Sequence, residues 1–178
     1  MVTRMLSALV GLSLVFVMGC KKTDDPGSGT TDTTPTSLVG NWKVTAFKLD
    51  PAWPKVVNGS PEQFTDYLQY LKRINETCLT DVTWTFAQDG RYTTNKESLP
   101  TCGANGPNST FIVDYLVDPN GTYVESANQL KLIGAGNLTS LLLTKAYAPG
   151  NLVTLQWKDQ DLSNQGVQTT YTMTLTKQ

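Results

Sequence analysis

Three cysteines, Cys20, Cys78 and Cys102, are the most reactive side chains in a chain that contains no histidine. Without histidine the commonest general base and the commonest metal ligand are both missing. A nucleophilic cysteine needs a neighbouring group that favours its thiolate, so cysteine catalysis is not expected. Among the carboxylates, Asp159 and Asp161 sit two apart in an expected loop with Asn164. A calcium site takes six to eight oxygens at defined spacing, so a solvated turn is the better reading. Asp114, Asp118 and Glu125 contain the makings of an acid–base pair, but nothing in the sequence brings them together. The residue types predict a protein that is not an enzyme, with no catalytic set, no metal and no cofactor.

Cys20 has a different chemistry. Arg4 is followed by an apolar run from Leu6 to Met18, and Val17-Met18-Gly19-Cys20 closes it. A charged start, an apolar stretch and a small-residue end are the parts of a secretory signal. Met5 to Gly19 is only fifteen residues, short of the roughly 20 that span a bilayer. The ending resembles the lipobox of bacterial lipoproteins. That resemblance implies that residues 1–19 are a removed signal peptide, and that Cys20 is acylated with palmitate-type chains and becomes the first mature residue. Each buried methylene contributes about 0.8 kcal/mol, so two or three chains give firm membrane attachment.

Residues 20–37 read as the acylated Cys and a tether. Lys21 to Ser37 contains no aliphatic or aromatic residue, so it has nothing to bury and is expected to stay disordered. Fully extended it reaches on the order of 50 Å. Lys21 does not resemble the Asp that marks inner-membrane retention, and Lys22-Thr23-Asp24-Asp25 loosely resembles signals that send lipoproteins to the cell surface. The expected address is the outer membrane, on its periplasmic face or at the cell surface.

Residues 38–178 are long enough for one domain with a core of its own. The formal net charge is −1 and no basic stripe appears, so nucleic acid is not an expected partner. With Cys20 lipidated, Cys78 and Cys102 form an even pair in an oxidising compartment. A bridge between them closes a loop worth about 3.5 kcal/mol by chain entropy; two free thiols are the alternative.

Alternation marks the strands. In Val82-Thr83-Trp84-Thr85-Phe86 and Tyr171-Thr172-Met173-Thr174-Leu175 the threonines face one way and the large apolar residues the other, as in a half-buried strand. Trp42–Ala46 alternates too. Further strands are expected at Gly90–Asn95, Thr110–Val117, Tyr123–Ser126, Gln129–Gly134, Thr139–Lys145 and Asn151–Trp157, with turns at Gln88–Gly90, Asp118–Gly121 and Ala148–Asn151. Ser60-Pro61-Glu62-Gln63 reads as a helix start, and Phe64, Tyr67, Leu68, Leu71 and Ile74 keep helical spacing, predicting a helix over Pro61–Thr77. Asp50 to Ser60 shows no strand pattern, so Trp53 is expected to be exposed and dispensable for stability.

Leu38-Val39-Gly40-Asn41-Trp42 resembles the Gly-x-Trp opening of the lipocalin-like superfamily. The order of lipobox, tether, Gly-Asn-Trp, helical insert, two cysteines and closing Tyr171–Lys177 strand resembles the bacterial lipocalin-like domains of many lipoproteins. The resemblance implies a mainly β fold: an antiparallel up-and-down barrel of about eight strands with one helix inserted after the first strand. Classical members set an Arg over the motif Trp; here Lys177 stands at that place, without a planar guanidinium to stack on indole. Expected inward residues, as ligand lining or plain core, are Trp42, Trp84, Phe86, Tyr92, Tyr115, Trp157, Tyr171 and Met173, with Phe111 and Val113. Any cavity among them would have apolar walls, tyrosine hydroxyls and no buried cation. The expected function is a monomeric binding module for a small hydrophobic molecule. The alternative is a protein-binding or protease-inhibitor-like barrel, for which an exposed Trp53 would be the anchor.

Overall fold

Apolar residues at every second position set the sheet. A computed structural model of the protein describes residues 34–102, 118–135, 140–161 and 166–178. Its strands are β1 (Gly40–Val57), β2 (Ser60–Asp66), β3 (Thr83–Phe86), β4 (Arg91–Thr94), β5 (Asn120–Glu125), β6 (Gln129–Gly134), β7 (Ser140–Ala148), β8 (Leu152–Asp161) and β9 (Val167–Lys177); helices α1 (Tyr67–Arg73) and α2 (Cys78–Asp81) lie between β2 and β3. Each strand from β3 to β9 pairs with the next, all antiparallel, and β1 pairs with both β3 and β9. The result is a closed eight-stranded up-and-down barrel, which leaves these eight strands no open edge. In β9, Tyr171, Met173 and Leu175 are buried and the threonines between them face outward.

β1 is longer than the barrel. Lys43 pairs with Thr83 on one side and Thr176 on the other, and further along Lys48 pairs with Asp66 and Thr172. β2 therefore sits above β3 on the same edge of β1, and β1 and β2 form a hairpin that extends beyond the barrel wall. Several expectations are corrected here. Residues 60–66 are a strand and not the start of a helix. Asn58 and Gly59 both have positive φ (52° and 81°), the backbone of a two-residue hairpin turn, and that turn outcompetes the helix start read at Ser60-Pro61. The helical spacing begins only at Tyr67, where the Asp66 carboxylate accepts the Leu68 N–H at 2.9 Å, and α1 ends at Arg73, so of the expected helix to Thr77 only α1 forms, and α2 begins beyond it at Cys78.

Trp53 is the second correction. It lies in β1 opposite Phe64 and is 6% exposed, with its ring centroid 5.7 Å from Tyr67 and 5.4 Å from Tyr70. Pro51, Pro54 and a register shift between Lys48 and Trp53 mask the alternation that would have marked the strand. Its indole Nε1 has no partner among the described residues. Trp53→Phe is therefore expected to cost under about 1.5 kcal/mol, because it removes an unsatisfied donor along with some volume. Trp53→Ala, which empties the site, is expected to cost clearly more; urea melts of the pair check this.

The third correction concerns Asn120 and Gly121, which open β5 and are not part of a turn. A Cβ at Gly121 would meet the Ile133 carbonyl and, at 2.7 Å, the Tyr92 ring. Close approach between strands, not turn geometry, requires this glycine. Asp159 and Asp161 likewise belong to β8 and not to a loop. Cys20 and the tether up to residue 33, the expected strand Thr110–Val117 with Phe111, Val113, Asp114 and Tyr115, and Asn164 lie outside the described residues.

Cys78 at the start of α2 is bonded to Cys102, with Cα atoms 4.9 Å apart. The bridge ties the helical segment to the chain after β4. Reduction is expected to lower stability by about 2–3 kcal/mol while the barrel's far-UV signature survives, since the core extends well beyond the bridge and is large enough to hold the strands. Melts with and without reductant measure the loss, and disappearance of the sheet signal on reduction would contradict it.

Candidate functional site

Of the expected inward residues, Trp42, Trp84, Phe86, Tyr92, Trp157, Tyr171 and Met173 are all buried; Tyr115 lies outside the described residues. They divide into two packed groups. Toward the helical end, Phe47 touches Tyr67 (5.1 Å), Trp157 (5.7 Å) and Tyr171 (6.2 Å), and Trp157 stacks on Tyr171 at 5.1 Å. Toward the other end, Phe86 touches Tyr92 (6.0 Å) and Tyr123 (5.1 Å), with Trp84 alongside. These separations are those of aromatic rings in direct contact. The described inward positions are thus filled by one another. Burial, with the Asp118 charge second, raises Tyr92 to about 12, so its hydroxyl stays protonated. Trp84 Nε1, Trp53 Nε1 and Thr169 Oγ1 are buried without a partner among the described residues.

The barrel end away from the helices is closed by the chain's own entry. Leu38 is fully buried. Its carbonyl accepts the Trp42 indole N–H at 2.6 Å, and its N–H donates to Glu125 Oε2 at 3.2 Å. The Lys177 ammonium stands 5.7 Å from the centre of the Trp42 ring, a cation–π distance.

Glu125 is the hub of this closure. Its Oε1 accepts from the Lys145 ammonium and, at 2.5 Å, from the Tyr147 hydroxyl. The Lys145 side chain is 2% exposed. Lys145 is thus a buried cation at this end of the barrel, which the sequence reading did not foresee. The signal was present: Leu141, Leu143, Lys145 and Tyr147 share one phase of β7, so the alternation that buries the leucines also buries the lysine. Burial pushes the Glu125 carboxyl up, but hydrogen bonds from Lys145, Tyr147 and the Leu38 amide outweigh it and hold it below the ordinary range. Burial and the bond to Glu125 push the Tyr147 hydroxyl far up. The carboxylate's lone pairs are committed to three donors, which makes the cluster a fastening and not a reactive centre.

Sequence reasoning placed Tyr67 on a packing stripe, where it is buried, but missed Phe47, Tyr123, Glu125, Lys145 and Tyr147 as members of this interior. Among the described residues no group of three or more His, Cys, Asp or Glu could hold a metal ion. No protein-family model matches the chain, and comparison with the curated proteins finds no match.

Proposed function

We propose that this protein is a lipid-anchored binding module of the cell envelope, held at the outer membrane through acylated Cys20, and that it engages a protein partner through the outside of its barrel. The observation that supports this reading is the aromatic packing of the interior, which leaves the described inward positions occupied by side chains. Filled eight-stranded barrels are stable frames for surfaces and loops. The anchor is tested by Cys20→Ser, which should release the protein from membranes; a variant that still sediments with them after high-salt washing would reject lipidation.

A second reading, capture of a small hydrophobic molecule, is favoured by the unpartnered Trp53 Nε1 and Thr169 Oγ1, since buried polar atoms usually find a partner. Native mass spectrometry of gently extracted protein separates the two. The surface reading expects only the acylated chain. A reproducible additional mass of a few hundred daltons, lost on unfolding, would favour an internal ligand.

A further inference from the structure

In β5 (Asn120–Glu125), β6, β7 and β8 as far as Lys158, the described positions that alternate with the buried ones carry two charges, Lys131 and Lys158, and no carboxylate. Register places them together. Lys131 pairs with Val124 on one side and Leu142 on the other. Thr144 pairs with Gln156, and continuing that register by two residues sets Leu142 opposite Lys158. Val124, Lys131, Leu142 and Lys158 therefore form one row across four strands, with Val124 62% and Leu142 59% exposed. At about 4.8 Å per strand, the two lysine stems stand roughly 10 Å apart with an aliphatic side chain between them. A shallow depression of about 250 Å³, lined by Gln129, Thr144, Gln156, Leu142 and Lys158 among others, adjoins the row.

Resting on the outer-surface reading above, we propose that this row is a docking surface for a partner-protein segment in which acidic and aliphatic residues alternate. Two like charges flanking exposed apolar area, with no carboxylate in the row itself to balance them, are complementary to carboxylates that straddle an aliphatic group. A second copy of the same face would set lysine against lysine. A lipid surface is a poorer fit, because Val124 and Leu142 are short side chains on a barrel wall and the row has none of the projecting aromatics of interfacial binders.

The test uses the full lipid-bearing chain in nanodiscs of neutral lipid, with a fluorescent acetyl-(Glu-Leu)3-amide peptide as probe. Saturable binding is expected, weakening as salt rises and at least tenfold weaker for Lys131→Glu/Lys158→Glu, whose melting temperature should stay unchanged. Equal binding of the (Lys-Leu)3 peptide, equal binding by the double variant, or no saturation at millimolar peptide would overturn the proposal. Binding of phosphatidylglycerol vesicles that the double variant loses, without peptide binding, would assign the row to lipid instead. Photo-cross-linkers at Gln129 and at Val56 on the hairpin, used in the producing cell, separate the two levels of inference. A protein adduct from Gln129 that the lysine substitutions abolish supports the proposal. An adduct from Val56 alone removes this row but keeps an outer-surface module, and adducts from neither remove both.

Discussion

Trp42→Ala is expected to lower the unfolding free energy by about 3–5 kcal/mol, the usual loss for a fully buried tryptophan. Trp42 is 0% exposed and joins three parts of the closed end: β1, the Leu38 carbonyl that its indole satisfies, and the Lys177 ammonium over its ring. Truncation leaves a cavity, strips the Leu38 carbonyl of its donor and removes the ring beneath a cation. Trp42→Phe keeps most of the volume and the ring face but not the donor, so it should fall between wild type and Ala. Val56→Ala on the exposed hairpin is the reference and should stay within about 0.5 kcal/mol of wild type. Urea melts of the four proteins decide the order. A mild Trp42→Ala effect would mean that the Gly40-Asn41-Trp42 opening does not close the barrel.

How much of this was readable in advance depended on the physical origin of each feature. The barrel strands were legible where period-2 alternation is clean, as in Trp84/Phe86 and Tyr171/Met173/Leu175, because one face of each strand must be dry. The β1–β2 hairpin was legible in principle from Asn58-Gly59. It was obscured because Ser60-Pro61-Glu62-Gln63 satisfies the rules for a helix start equally well, and local rules cannot arbitrate between two local fits. Trp53 was misplaced because prolines on either side hide a strand whose burial depends on α1 packing against it. Gly121 reads as a turn in isolation, and only the neighbouring Tyr92 ring explains why glycine is needed in a strand. Lys145 was legible by phase. Its partner was not: Glu125 and Lys145 meet across β6, and that depends on two successive registers that no single strand pattern reveals.

Glu125→Ala should be the other severe lesion, costing about 3–5 kcal/mol, because it leaves the buried Lys145 ammonium without its counter-charge. It also frees the Leu38 N–H and the Tyr147 hydroxyl. Glu125→Leu combined with Lys145→Met should recover most of the loss, since an apolar pair of similar volume often replaces a buried ion pair at little cost. That non-additivity distinguishes loss of a charge pair from loss of packing. The pH dependence supplies an independent check. The Glu125 carboxyl is held below its ordinary value in the folded state, so the unfolded chain takes up its proton first as pH falls. Its contribution is then fully present above about pH 4.3, the unfolded glutamate value, and fades as pH drops through the lower folded value. The stability gap between wild type and Glu125→Gln should be flat from pH 6 to 8 and shrink below about pH 4. Tyr147 moves the opposite way: its raised folded value keeps its contribution intact below about pH 10 and erodes it above. Urea melts at half-unit steps from pH 3 to 7 test the acid limb. An undiminished gap at pH 3 would mean that the carboxylate's charge is not what holds Leu38 in place, and that the end of the barrel is closed by packing around Trp42 alone.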